Sequence, residues 1–308
     1  MTTHCPVLLE ETMELLSVRD GGTYVDGTLG GGGHAEAILR RIGANGRLLA
    51  IDLDPEAIAR AQVRFAAYGG VCRLMHGNYA DMAALVHANN IRDVDGVLFD
   101  CGVSSDQLDV PERGFSFRAD GPLDMRMDPT CGETAADLIA RLPETELADL
   151  IWRWGEETAA RKIARRIAEE RLRAPICTTG RLAEVVADAS GGRHGRIHPA
   201  TKTFQALRMA VNDELGGLQK GLLAALDIVR PGGRVAVITF HSLEDRLVKQ
   251  LFVEHVGRWV SLQGGGAEWK GATPAVRRVT RKPVIAGDGE QLHNPRARSA
   301  KLRVVERI

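Results

Sequence analysis

Cysteine is scarce. Five residues (Cys5, Cys72, Cys101, Cys131, Cys177) are spread over 308 positions, odd in number and never paired as C-x-x-C. This spacing supports neither a disulfide framework nor a zinc site, so no metal is expected, and a reducing compartment is the simplest setting. No apolar run approaches the roughly 20 residues needed to cross a bilayer. The first residues also lack a charged-then-apolar leader, and a cytoplasmic protein without membrane contact is the expectation. Net charge is missing too: 40 basic residues stand against 40 acidic ones, which argues against a chain coated throughout for nucleic acid. Internal repeats and low-complexity tracts are absent.

What remains is an ordinary globular composition, 44% hydrophobic and 26% charged. The length allows one large domain or two smaller ones, burying roughly three quarters of the unfolded surface. The balanced charge conceals a local excess. From Arg258 to Ile308 there are eleven Lys/Arg against four acids. Such a segment can carry a phosphate-binding surface, although a solvated hairpin and tail would show the same count.

The chain is organised around Tyr24-Val25-Asp26-Gly27-Thr28-Leu29-Gly30-Gly31-Gly32-Gly33-His34. A short apolar strand ends on a carboxylate, runs through glycines and enters a helical pattern from Ala35 (Ile38, Leu39, Ile42). So abrupt a turn needs residues that tolerate positive φ and let a ligand approach the backbone. Strand two, Arg47–Ile51, delivers Asp52 at its carboxyl end, placed to accept hydrogen bonds from ribose hydroxyls. The stretch therefore reads as a pocket for an adenosine-containing cofactor. The G-x-G-x-x-A match at Gly30, Gly32 and Ala35 does not separate a nicotinamide from S-adenosylmethionine. Asp26 favours the methyl donor, whose amino group needs an acceptor near this turn. No basic residue in Gly27–His34 awaits a pyrophosphate, though backbone N–H groups could hold one.

Further strands are expected at Gly70–Met75, Asp95–Asp100 and Arg234–Phe240, with helices between, which implies a parallel sheet. Ser104 to Asp128 is turn-rich. Four helical patterns follow (Thr134–Ala140, Glu144–Arg153, Glu156–Arg173, Thr179–Ala189), closed by a linker at Ser190-Gly191-Gly192-Arg193. One long helix is expected from Pro199 to Val229, stopped by Arg230-Pro231-Gly232-Gly233. His241-Ser242-Leu243-Glu244-Asp245 opens another, with Ser242 and Asp245 spaced as a capping box. Gly264-Gly265-Gly266 reads as a flexible segment, and strand-like pieces at Ala275–Ile285 and Ala300–Ile308 close the chain.

Several ordered blocks carry a resemblance. They are His4-x-Pro6-Val7-Leu8-Leu9, Asp26-Gly27-Thr28 with Gly32-Gly33-His34, and Asp100-x-Gly102-Val103-Ser104-Ser105-x-Gln107-Leu108-Asp109. Arg113-Gly114-Phe115-Ser116-Phe117 and Gly121-Pro122-Leu123-Asp124-Met125-Arg126-Met127 come next. His198-Pro199-Ala200-Thr201 through Asn212-x-Glu214-Leu215, Phe240 through Arg246, and Asn294-Pro295-Arg296-Ala297-Arg298-Ser299 complete the set. Nearly end to end, the chain resembles the bacterial small-subunit ribosomal RNA (cytosine-N4)-methyltransferases, the MraW or RsmH family. Cys101 stands where Leu is usual and Lys202 where Arg is common.

The resemblance implies an α/β fold: a class I, Rossmann-like methyltransferase sheet (residues 1–107 and 199–308) with an inserted all-helical substrate-recognition domain (108–198). It implies S-adenosyl-L-methionine as donor, and a cytidine in the decoding centre (P site) of 16S rRNA, within the small ribosomal subunit, methylated on N4. The family's donor site falls on Gly32, Gly33, His34, Asp52, Tyr79, Asp100 and Gln107. It leaves a homodimer open.

The exocyclic amine of cytosine is a poor nucleophile, so an acceptor for an N4 hydrogen would help. The Pro-Pro-aromatic signature of many amino-methyltransferases is missing after Asp100. Asp100 is the first choice of acceptor, with Ser104 and His241 behind it. For RNA phosphates the choices are the basic helix Arg161–Arg173 (Arg165, Arg166), the loop from Arg113 to Arg126, and the tail at Arg296 and Arg298. Phe115 and Phe117 in that loop could stack on bases but fit a core role slightly better. A nicotinamide oxidoreductase and a non-enzymatic RNA chaperone remain the competing classes.

Overall fold

Apolar strands alternating with amphipathic helices build the sheet, and the chain leaves it once before completing it. The computed structural model describes residues 6–191 and 198–308; His4, Cys5 and the Gly192-Arg193 end of the expected linker lie outside them. Two compact units result, one from residues 1–102 and 215–308, the other from Val103–Glu214.

The first unit opens with α1 (Leu9–Leu15), β1 (Thr23–Asp26), α2 (Gly33–Ile42), β2 (Arg47–Asp52), α3 (Pro55–Arg64), β3 (Cys72–His76), α4 (Met82–Ala88) and β4 (Val94–Asp100). Asp54 starts α3 by accepting from Glu56 N at 2.9 Å, with Pro55 at the first helical position. Then come the helices of the second unit: α5 (Ser105–Asp109), α6 (Ala135–Arg141), α7 (Glu144–Gly155), α8 (Ala160–Arg173), α9 (Thr179–Ala189) and α10 (Ala200–Val211). The chain returns through α11 (Glu214–Ile228), β5 (Val229–Thr239), α12 (Ser242–Val256), β6 (Arg258–Ser261), β7 (Ala267–Lys270), β8 (Val276–Arg278), α13 (Asp288–His293) and β9 (Lys301–Arg307).

The main sheet runs β3-β2-β1-β4-β5-β9-β8. Its first five strands are parallel, and β9 is antiparallel to both neighbours. This is the class I methyltransferase sheet that the resemblance implies. Side chains alternate across it: Tyr24, Leu48, Ala50, Leu98, Ala236 and Ile238 pack on one face with α1, α2 and α3. Val25, Leu49, Ile51, Val97, Phe99, Val235 and Val237 pack on the other with α4, α11 and α12. A period of two with both faces apolar is what a strand buried on both sides requires. Strand order reverses between β1 and β4, so ligands are expected outside the carboxyl ends there.

The second unit has its own core, which includes Phe115, Leu138, Leu147, Ile151, Ile163, Ile167, Leu182 and Phe204. Among its described residues there is no strand, only an isolated bridge between Pro122 and Thr178. The domain edges expected after 107 and after 198 both fall inside this unit. Helix α10 packs on α7, and Asn212 accepts from Met127 N at 2.7 Å and donates to Met125 O at 2.8 Å.

Those Asn212 bonds also account for a correction. The expected continuous helix from Pro199 to Val229 breaks between α10 and α11. The Asn212 amide is turned onto the 125–127 loop, and Asp213 takes a left-handed φ of 45°. The expected helix from Glu156 starts late because Glu156, at φ 48°, ends α7 instead. The Gly264-Gly265-Gly266 segment forms the tip of a β6–β7 hairpin, where Trp259 and Trp269 meet edge to face at 5.5 Å. Of the expected strand Ala275–Ile285, only β8 and a lone bridge from Val284 to Leu302 form.

Candidate functional site

Three parallel strands end on carboxylates at the switch point: β1 on Asp26, β2 on Asp52 and β4 on Asp100. Between them runs the glycine turn. Gly30 and Gly32 have φ of 51° and 77°, left-handed values that a side chain rarely adopts. A Cβ on Gly33 would lie 2.2 Å from Pro6 Cγ, whereas one on Gly31 would meet nothing within 4 Å. The turn is thus pressed against its own N-terminal segment on one side and open on another.

Asp26 and Asp52 hold the turn through their carboxylates, Asp100 through its backbone N–H. Asp52 Oδ2 accepts from Gly30 N at 2.6 Å and its Oδ1 from Asp54 N at 2.8 Å. Asp26 Oδ1 accepts from Thr28 N at 3.0 Å, and the Thr28 hydroxyl accepts from Asp100 N at 2.6 Å. Thr28 therefore ties the tip of β1 to that of β4, a role the sequence reading missed; its signal was the Asp26-x-Thr28 spacing directly after a strand. Two oxygens stay unused. Asp26 Oδ2 and Asp100 Oδ1 are buried without a hydrogen-bond partner among the described residues. A buried acceptor left unpaired costs about 1–3 kcal/mol, so both invite a donor group from outside the chain.

Burial sets the electrostatics. Asp26, 1% exposed, has its pKa pushed up to about 6 by burial, against the Thr28 N–H and the charge of His34. Burial likewise raises Asp52, opposed by its two backbone hydrogen bonds. His34, on the first turn of α2, is 5% exposed. Its Nε2 lies 3.1 Å from Val7 O and its Nδ1 3.3 Å from Asp100 Oδ2. A carbonyl and an ionised carboxylate both only accept, so this pairing favours a proton on each ring nitrogen, the imidazolium form. Burial pulls its pKa down, but the hydrogen bond and charge of Asp100, with Asp26 and Val7 O, outweigh this and leave it raised.

Tyr79 follows β3, where the Asn78 side chain accepts from Ala80 N and starts a short 3-10 turn. Its ring meets Phe99 edge to face at 5.5 Å. A Cβ on Gly221 of α11 would come within 2.7 Å of that ring, so the glycine makes room for it. Gly32, Gly33, His34, Asp52, Tyr79 and Asp100 thus sit together in the first unit. Gln107 belongs to the second, 6% exposed, where it forms a reciprocal cap with Ser104: Gln107 N to Ser104 Oγ at 3.2 Å and Ser104 N to Gln107 Oε1 at 3.0 Å.

Two other expectations are corrected. The cap of α12 is His241 with Glu244, one residue ahead of the expected Ser242 and Asp245. His241 takes the extended conformation of an N-cap, its Nδ1 accepts from Glu244 N at 3.4 Å, and Glu244 Oε2 accepts from Phe240 N at 2.8 Å. Asp245 instead binds Arg303 at 2.7 Å and Lys301 at 3.3 Å. Arg113 does not stand ready for phosphate. It is 8% exposed and donates to Arg126 O at 3.1 Å and Met127 O at 2.8 Å. Phe115 is buried, and Phe117 packs at 4.7 Å against both His198 and Phe204, as a core role requires. Arg165 is exposed, 3.9 Å from Glu144, while Arg166 lies 3.3 Å from Glu170. Arg296 and Arg298 sit on a 3-10 turn (Pro295–Arg298) capped by Asn294.

The rim suits a cationic nucleoside. Acceptor-only oxygens face an open glycine turn, and neither Gly27–His34 nor the three strand tips bring a Lys or Arg to compete for them. The chain is similar to several known proteins. The chain is 51% identical over 307 residues to a protein of Thermomicrobium roseum named ribosomal RNA small subunit methyltransferase H, covering 100% of this chain and 94% of that one. A protein of Trichlorobacter lovleyi with the same name is 50% identical, covering 99% and 98%. A solved rRNA methylase from Streptococcus thermophilus aligns over 100% of this chain and 99% of its own at 9% identity and a TM-score of 0.43. The description "MraW methylase family" matches residues 1–308, and the chain belongs to that family.

Proposed function

We propose that this chain is an S-adenosyl-L-methionine-dependent methyltransferase acting on 16S rRNA, and that its target is the exocyclic N4 of a cytidine in the decoding centre of the small ribosomal subunit. The observation that carries this reading is the rim of three strand-end carboxylates around an open glycine turn, with two buried oxygens left unpaired. Relatives of 50% identity named for small-subunit rRNA support the substrate. With rRNA as substrate, the working compartment is the cytoplasm. No helix among the described residues is long and apolar enough to cross a membrane. The homodimer that the resemblance leaves open gains no support from the described residues.

The donor, when bound, supplies a methyl group on an electrophilic sulfonium. In this reading Asp26 accepts from its amino group, Asp52 from its ribose, Tyr79 offers a ring to its adenine, and Gly32 and Gly33 let it approach the backbone. Gln107 is assigned to the donor by resemblance. Holding amine and methyl in line supplies much of the acceleration. Asp100, its Oδ2 held by His34 and its Oδ1 free, is the acceptor for an N4 hydrogen. Ser104 and His241 rank below it because each already serves as a helix cap. The helical second unit recognises the substrate, with Arg165 and Arg166 on α8, and Arg296 and Arg298 in the first unit, meeting phosphates. The target base must be unstacked to reach the donor.

The test is tritium-methyl transfer from the donor to purified small subunits and to naked 16S rRNA, with the labelled nucleoside identified by mass. Label in N4-methylcytidine is expected. Label in another nucleoside would refute the target. Tight binding of a nicotinamide cofactor in calorimetry, with none of the methyl donor, would refute the class.

A further inference from the structure

At the far edge of the sheet, β8, β9 and α12 enclose a cleft that takes no part in the donor site. Lys249 and Phe252 of α12, Arg278 of β8, Arg281 just beyond it, and Arg303 and Val305 of β9 line a cavity of about 80 Å³. Between β4 and β8 lie β5 and β9, so at about 4.8 Å per strand the cleft is some 14 Å across the sheet from Asp100.

Four cations line this cleft, and the local carboxylates are already taken. Asp245 is shared by Arg303 and Lys301, and Glu306 by Arg234 and Arg277. Lys249, Arg278 and Arg281 are exposed and have no carboxylate partner among the described residues. Phe252 and Val305, which share one face of the sheet, give the cleft an apolar floor, 4% and 1% exposed. Unneutralised cations gathered over a low-dielectric floor repel one another until an anion arrives. A fork of guanidinium donors matches the oxygens of a phosphate.

We propose that this cleft is a second nucleic-acid contact, which seats a backbone phosphodiester of the RNA between Lys249, Arg278 and Arg281. The proposal rests on the reading of the chain as an rRNA methyltransferase and commits to RNA rather than a free phosphate. The contact is to backbone, so it anchors the substrate without reading sequence.

The experiment compares wild type with Arg278→Glu/Arg281→Glu and with the milder Arg278→Gln/Arg281→Gln, which keeps the fold testable. Binding of a labelled small-subunit rRNA fragment is followed from 50 to 300 mM salt, with donor binding measured separately by calorimetry. Losing one phosphate contact should lower the slope of log affinity against log salt by about 0.7–0.9. Both variants should bind the fragment several-fold more weakly and the donor as before. Unchanged slope and affinity in both variants would overturn the assignment. So would a titration in which pyrophosphate shifts the side-chain signals of Arg278 and Arg281 but the rRNA fragment does not, since the cleft would then serve small phosphates. A wild type that binds donor but no rRNA would bring down the functional reading together with this site. A wild type that binds rRNA with a slope the substitutions do not move brings down the site alone.

Discussion

Asp26 carries the most consequential charge in the donor rim. It stays protonated below its pKa of about 6, and a protonated carboxyl cannot attract a cationic amine. Donor affinity should therefore fall about tenfold from pH 7.5 to pH 5, and Asp26→Asn should be weak and flat over that range. Isothermal titration at four or five pH values checks both. The same shift acts on stability. The folded pKa is raised above the ordinary 3.8, so Asp26 ionisation costs stability progressively as pH rises from about 4 through 6. Urea denaturation should show Asp26→Asn gaining up to about 3 kcal/mol relative to wild type between pH 4 and pH 8.

His34 runs the other way. As its pKa is raised above the ordinary 6.5, the charged ring stabilises the fold below that value, and the contribution is lost as pH climbs through the folded pKa. Nitrogen-15 spectra of the imidazole should show both ring nitrogens protonated below pH 6.5, where the raised pKa keeps the ring charged. A neutral ring there would leave one nitrogen facing a carbonyl or carboxylate with no proton between them, and the pairing described for Asp100 would have to be discarded. Sequence alone placed His34 only through family likeness. Val7 O and Asp100 Oδ2 face the two different nitrogens of the ring, an arrangement no spacing rule delivers.

Among the elements, the glycine turn makes the sharpest demand. Gly33→Ala puts a methyl 2.2 Å from Pro6 Cγ, and the ring, bound to the backbone at both ends, yields reluctantly. A loss of about 1–3 kcal/mol in urea denaturation is expected, with donor affinity lowered as the turn shifts. This stretch was legible in the sequence because a strand, a glycine cluster and a helix in succession admit few geometries. The strand-end positions of Asp52 and Asp100, and that of Tyr79 just beyond β3, were equally plain from period and length. The α10–α11 break was not, because Phe204, Leu207, Val211, Leu215 and Leu218 keep helical spacing straight through it. What ends the helix is a long-range contact, Asn212 with the 125–127 loop, and local periodicity is blind to that. Likewise, His241 outcompeted Ser242 for the cap of α12 because an imidazole nitrogen can accept as a hydroxyl does.

At the scale of the whole molecule, basic residues divide into two kinds that composition cannot tell apart. Arg113 is interior scaffolding, and Arg113→Ala strands two carbonyls, so it should cost about 2–3 kcal/mol of stability in urea while leaving the salt slope of rRNA binding intact. Arg165 is on the surface of α8. Arg165→Glu should leave urea denaturation nearly unchanged and flatten that slope by about one. The opposite pattern would exchange their roles. The inserted unit was visible as an interruption of the strand–helix rhythm; the compact unit runs from Val103 to Glu214, wider than the expected 108–198. The helix α10 that seals its core and the Arg208–Glu214 pair at 2.6 Å lie beyond the expected linker.

The seat of β9 has a consequence for how the sheet closes. This strand holds the place between β5 and β8 and runs antiparallel to both. Without it, β5 presents an open edge with a row of unanswered amide and carbonyl groups, and β8 has no strand to pair with. A protein truncated after Ala300 should consequently be recovered as aggregate rather than as a weakened enzyme.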